Sequence, residues 1–168
     1  SLIANMPRIL NQLDRNPTST TFGCFDREYW QYKTIDFPCA RKQEGVLSLA
    51  LLLMKKFHNN TYFGVPVVRS WCEAAIEFWA KTQNFDGSFN EWYPEEHSFV
   101  ATAFSTYAIT EAILLLRLPC SSLVIEAVYK AGRFLQQHTE FRVQNQQTGA
   151  IIALYNCGIV TGKEEFTM

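Results

Sequence analysis

Four prolines set the frame of this chain. Pro38, Pro66, Pro94 and Pro119 each stand just ahead of a stretch with helical periodicity, at intervals of 28, 28 and 25 residues. Proline lacks the N–H that the first turn of a helix leaves unbonded, so it starts helices and does not continue them. A near-regular beat of this length is one helix plus one connection, repeated. Pro7 extends the series toward the N-terminus.

The helices so bracketed are of two kinds. Residues 2–13, 67–82 and 123–138 are amphipathic. In the second of these, Val68, Trp71, Cys72, Ala75, Phe78 and Trp79 share one side, while Arg69, Glu73, Glu77 and Lys81 recur every four residues. Residues 46–54, 99–118 and 150–160 are instead apolar nearly all round. A helix without a polar face has to be enclosed by protein. Consecutive helices run antiparallel, so the alternation predicts an all-α domain over residues 1–168. It is built of about three helical hairpins in an inner and outer layer. The inner helices at the two ends would lack a neighbour, so a homodimer, or further hairpins of a longer chain, is expected to cover them.

Composition narrows the function. Lys plus Arg (15) almost balance Asp plus Glu (16), so no long-range field recruits nucleic acid or an anionic membrane. The stretch 99–118 is apolar enough to raise the question of a membrane span. It contains Thr102, Ser105, Thr106, Thr110 and Glu111, which suit a buried core helix, and no span is expected. No signal-peptide pattern opens the sequence. The five cysteines, Cys24, Cys39, Cys72, Cys120 and Cys157, contain no CxxC and read mainly as buried free thiols. Cys24 and Cys39 flank one polar loop and could pair in an oxidising compartment, although a cytoplasmic home is the favoured expectation.

Links from inner to outer helices are short. Those from outer to inner helices are long: 16–37, 84–93 and 140–147. Alternating helix direction puts all three long links at one end of the molecule, where function is expected.

One segment carries a more specific pattern. Ala75, Phe78, Trp79, Gln83, Gly87 and Phe89 follow small–x–x–aromatic–apolar–x–x–x–Gln–x–x–x–Gly–x–aromatic. This resembles the QW repeat of squalene-type terpene cyclases, in which the Gln and an aromatic ring tie the end of an outer helix to the turn after it. Lys130 to Leu135 opens the same way but has Thr139 where Gln is expected, and Gly23-Cys24-Phe25 looks like the end of a degenerate copy. The resemblance implies part of an (α/α) toroid, the fold of terpene cyclases and protein prenyltransferase β subunits. The chain has neither the DxDD acid motif of the cyclases nor an Asp/Cys/His zinc set of the prenyltransferase kind. No metal and no cofactor is read from it.

The loops point elsewhere. The first long link alternates rings and charges: Asp26, Arg27, Tyr29, Trp30, Tyr32, Lys33. Aromatic faces stack on sugars while Arg, Lys and Asp bond hydroxyls or uronate groups. The second link adds Asp86, Glu91, Trp92, Tyr93, Glu95, Glu96 and His97, with carboxylates for acid–base work and an imidazole that titrates near neutrality. Arg41, at a helix start against the dipole, joins the binding set. His97, Glu91 and Asp26 are the catalytic candidates. Arg27, Tyr29, Trp30, Tyr32, Lys33, Arg41, Trp92 and Tyr93 are the substrate-binding ones. The bland alternatives are weighty: Asp86-Gly87 is a turn signature, Glu95 and Glu96 suit a first helical turn, and Trp92 and Tyr93 could plug the ring's end. Three functions stand in order: a domain binding or processing a glycan or other small molecule, an isoprenoid-handling domain, and a protein-interaction scaffold.

Overall fold

The computed structural model describes residues 2–138 and 143–166. Among these the chain forms six α-helices and no strand: α1 Leu2–Gln12, α2 Gly45–Met54, α3 Pro66–Lys81, α4 Phe99–Leu116, α5 Ser122–Gln137 and α6 Gln144–Thr161. A π-helical turn, Glu28–Tyr32, and two 3-10 turns, Ala40–Glu44 and Glu164–Phe166, complete the regular structure. The all-α expectation is met.

Local chemistry explains the boundaries. Pro66 occupies the first turn of α3. The hydroxyls of Ser98 and Ser121 accept the N–H of Ala101 and Val124, satisfying donors that the starts of α4 and α5 leave open. Gly162 ends α6 in the left-handed conformation.

Helix α4 lies between α2 and α6 and also touches α5, while α3 packs on α2 and α5. Its threonines and serines are buried with its alanines, and Ser105 uses its hydroxyl to accept the indole N–H of Trp79 at 3.0 Å. Trp79 is fully enclosed and stacks on Phe89, with ring centroids 4.5 Å apart. Removing a ring of that size from a core costs about 3–5 kcal/mol. Helix α4 is also long and apolar enough to cross a membrane, and 61% of it is buried inside the fold.

Several expectations are corrected. Helix α6 begins at Gln144, six residues earlier than its apolar run, so it absorbs part of the third expected link; residues 140–142 of that link, and Thr139 just before it, lie outside the described residues. The helix is not enclosed all round, since Ile151, Ile152, Tyr155 and Ile159 are exposed. On α2, Leu51 and Met54 are likewise exposed. Glu95 and Glu96 are not in a first helical turn, because α4 starts only at Phe99.

Candidate functional site

Two glycine-centred clasps fix the long links. In the second, Gln83 donates its amide to the carbonyl of Gly87 (3.0 Å) and to that of Ala127 in α5 (2.8 Å). Gly87 has φ +93°, and a Cβ there would sit 2.3 Å from the carbonyl oxygen of Lys130, so only glycine lets the link rest on α5. In the first, Gly23 has the same φ and lies on the backbone of Ala74 in α3. There the amide comes from Gln43, which donates to Gly23 O (2.7 Å) and Ala75 O (2.9 Å) while its Oε1 accepts the N–H of Phe25. Each clasp also closes a backbone loop. Asp14 N donates to Cys24 O and Gly23 N to Asp14 O, just as Asn84 N donates to Ser88 O and Gly87 N to Asn84 O.

The two links meet where Ala40 N donates to Asn90 O at 3.0 Å. Beside this contact Arg41 bonds Glu44, approaches Glu91 at 3.8 Å, and lays its guanidinium 4.7 Å from the ring centroid of Phe104. Glu91 is only 12% exposed at its side chain. Burial pushes its carboxyl above the ordinary value; Arg41 opposes that, and the charges of Glu96 and Glu44 add to it.

Glu96 shapes the tip of the second link. Its Oε2 accepts the N–H groups of Glu91 (2.7 Å) and Trp92 (2.8 Å). Its neighbours Glu95 and His97 hold φ of 55° and 52°, a left-handed conformation that non-glycine residues adopt at a cost. The result is a fixed turn that presents Trp92 (72% exposed) and Tyr93 (69%) to solvent. Neither ring plugs an opening.

His97 faces the other side of that turn. Its Nδ1 lies 2.7 Å from Asp86 Oδ2 and 2.8 Å from Ser88 Oγ, and Ser88 donates its hydroxyl to Asp86 Oδ1 at 2.6 Å. Burial alone would raise the Asp86 carboxyl, but Ser88 and His97 outweigh it and hold it below the usual carboxylate range.

The first link divides its residues. Asp26, a catalytic candidate in the sequence, has a side chain only 1% exposed. Its carboxylate is consumed by the N–H groups of Glu28 and Cys39 and by Lys42, so it braces the link and has no face for a ligand. Arg27 donates to Asn11 O at 3.4 Å and stacks on Tyr32, 5.1 Å from its centroid. Tyr29, Trp30 and Lys33 border a separate polar recess of about 380 Å³. Tyr29 also tilts against Phe78, and the Trp30 indole donates to Gln12 O. The single site expected between the links is therefore spread over several places, of which Arg41 with Glu91 is where the links touch. Cys24 and Cys39 are free thiols, as are the other three cysteines. Among the described residues no group of three or more His, Cys, Asp or Glu could hold a metal ion.

Sequence reasoning missed Glu44, Phe104 and the bracing role of Glu96. The spacing of Arg41 and Glu44 by three was a readable signal for a pair on one helical turn. No protein-family model, curated protein or solved structure matches the chain.

Proposed function

We propose that this domain binds and processes carbohydrate at the junction of the two links, with Glu91 as proton donor. One observation carries the reading: a nearly covered carboxyl, pushed toward its protonated form, stands next to two exposed rings and shares one arginine with a second carboxylate. Cleavage of a glycosidic bond uses two carboxyl groups in different protonation states. Glu91 suits the acid, and Glu44, held by Arg41, supplies the second carboxyl group. Trp92 and Tyr93 supply stacking faces for sugar rings. The polar surround suits a hydroxylated substrate better than a hydrocarbon.

The helix contacts support a toroid fragment as the frame. Helices α2, α4 and α6 touch in sequence, as do α3 and α5, and each link leaves an outer helix to enter an inner one.

The test is a glycan array followed by release assays on whatever binds. Glu91→Gln should cut turnover by about 10²–10⁴-fold and leave glycan binding intact, while Trp92→Ala should weaken binding. Full turnover in Glu91→Gln, or an array without a bound glycan, overturns the reading.

A further inference from the structure

We infer that the pocket between α1, the π turn and the start of α2 is a binding site for a sugar acid, with Arg27 taking the carboxylate. The inference rests on the carbohydrate reading above but concerns a different part of the surface, and it names the class of sugar.

The pocket encloses about 500 Å³, within the range of small-molecule sites. Ile9 and Phe25 give it apolar walls, and Arg27, Glu28, Tyr32 and Lys42 supply its polar groups. Its shape depends on Gly45: a Cβ there would fall 2.7 Å from the Phe25 ring and force that wall to move.

The two cations of the pocket are in different states. Lys42 is held by Asp26 at 2.8 Å and by Glu28. Arg27 has no carboxylate partner among the described residues. Its one hydrogen bond is long, its Nε is buried without a partner, and its plane is steadied by Tyr32. A guanidinium with unused donors, fixed against a ring, is arranged for two-pronged capture of a carboxylate.

Glu28 then selects what carries that carboxylate. Its charge repels a bare anion, yet its oxygens accept hydrogen from hydroxyl groups. A ring that bears one carboxylate, several hydroxyls and an apolar C–H face satisfies Arg27, Glu28 and the apolar walls together. A uronate has these features. A neutral sugar leaves Arg27 unpaired, and inorganic sulfate offers Glu28 nothing to accept.

Trp30 provides a built-in reporter, because its indole N–H donates at 2.7 Å to the carbonyl of Gln12, which lines the pocket. The experiment follows the Trp30 indole resonance while the full chain is titrated with glucuronate, glucose or inorganic sulfate. Glucuronate should give a saturable shift, with glucose and sulfate weaker by about tenfold or more. Arg27→Gln should weaken glucuronate to a similar degree, and Ile9→Trp, which fills the pocket, should abolish the shift while the helical circular dichroism stays native. Glu91→Gln should leave it unchanged. The inference is overturned if glucose or sulfate matches glucuronate, or if folded Arg27→Gln binds like the native chain. No Trp30 shift in a chain whose turnover is lost in Glu91→Gln overturns the pocket alone and leaves the proposed activity standing.

Discussion

Gln83 reaches from the end of α3 to the carbonyl of Ala127 in α5, 2.8 Å away, and so couples two helices through one side-chain amide. The same amide nitrogen holds the carbonyl of Gly87. Gln83→Ala would leave both acceptors without that donor and lower stability by about 1–2 kcal/mol. Ligand binding should be unaffected. Urea denaturation checks the first statement, and an unchanged midpoint would show that water replaces the amide without loss.

The glycines of the clasps should be far less replaceable than other glycines with positive φ. At Gly23 and Gly87 a methyl group meets both a left-handed backbone and a carbonyl 2.3 Å away, whereas at Gly64 it meets open space. Gly23→Ala and Gly87→Ala should each cost about 2–5 kcal/mol, against about 1–2 kcal/mol for Gly64→Ala. Thermal unfolding of the three variants side by side gives the ranking.

Glu91 makes stability depend on pH with a definite sign. Its carboxyl titrates above the ordinary value of 4.5 in the fold, so the folded chain there holds more protons than the unfolded chain. The stability linked to this group is present below 4.5 and is lost as pH rises through the raised value. Glu91→Gln cannot lose it. Relative to the native chain, the variant should gain stability as pH climbs through that window and then level off, as measured by urea titration at several pH values. The same ionisation should set the alkaline limb of any turnover that uses Glu91 as acid.

The exposed side of α6 presents Ile151, Ile152, Tyr155 and Ile159 to solvent, all 42–61% exposed. Contiguous apolar surface of this kind binds environment-sensitive dyes. The native chain should enhance the fluorescence of such a dye, and the double variant Ile151→Lys, Ile159→Lys should reduce that signal. Because both positions are exposed, helicity and unfolding midpoint should shift little.

Much of the frame was legible in the residues themselves. Proline positions and the switch between amphipathic and apolar runs located α2 to α5 to within a few residues, because both signals are local. The anchor at Gln83 was legible for the same reason, since Gly87 and Phe89 follow it at fixed spacing. The start of α6 was not, because Gln144 to Gln147 have no apolar periodicity and are helical all the same. The site was harder. Asp26 resembles a catalytic acid in a line of charges and rings, and only the return of Cys39 and Lys42 to the same point shows that it is spent internally. Glu91 was singled out, but Arg41, which it faces, and the Glu44 and Phe104 that hold that arginine come from elsewhere in the chain. Contacts between distant segments leave no trace in local spacing.

The two clasps close identically although eight residues lie between Asp14 and Gly23 and only two between Asn84 and Gly87. What is held constant is the closure; what lies inside it is free to differ in length. The closure is thus independent of how much peptide it encloses, even though Arg15 in the longer loop also lies over the Trp71 ring of α3. A repeat with that property can carry surface segments of different length on one kind of closure.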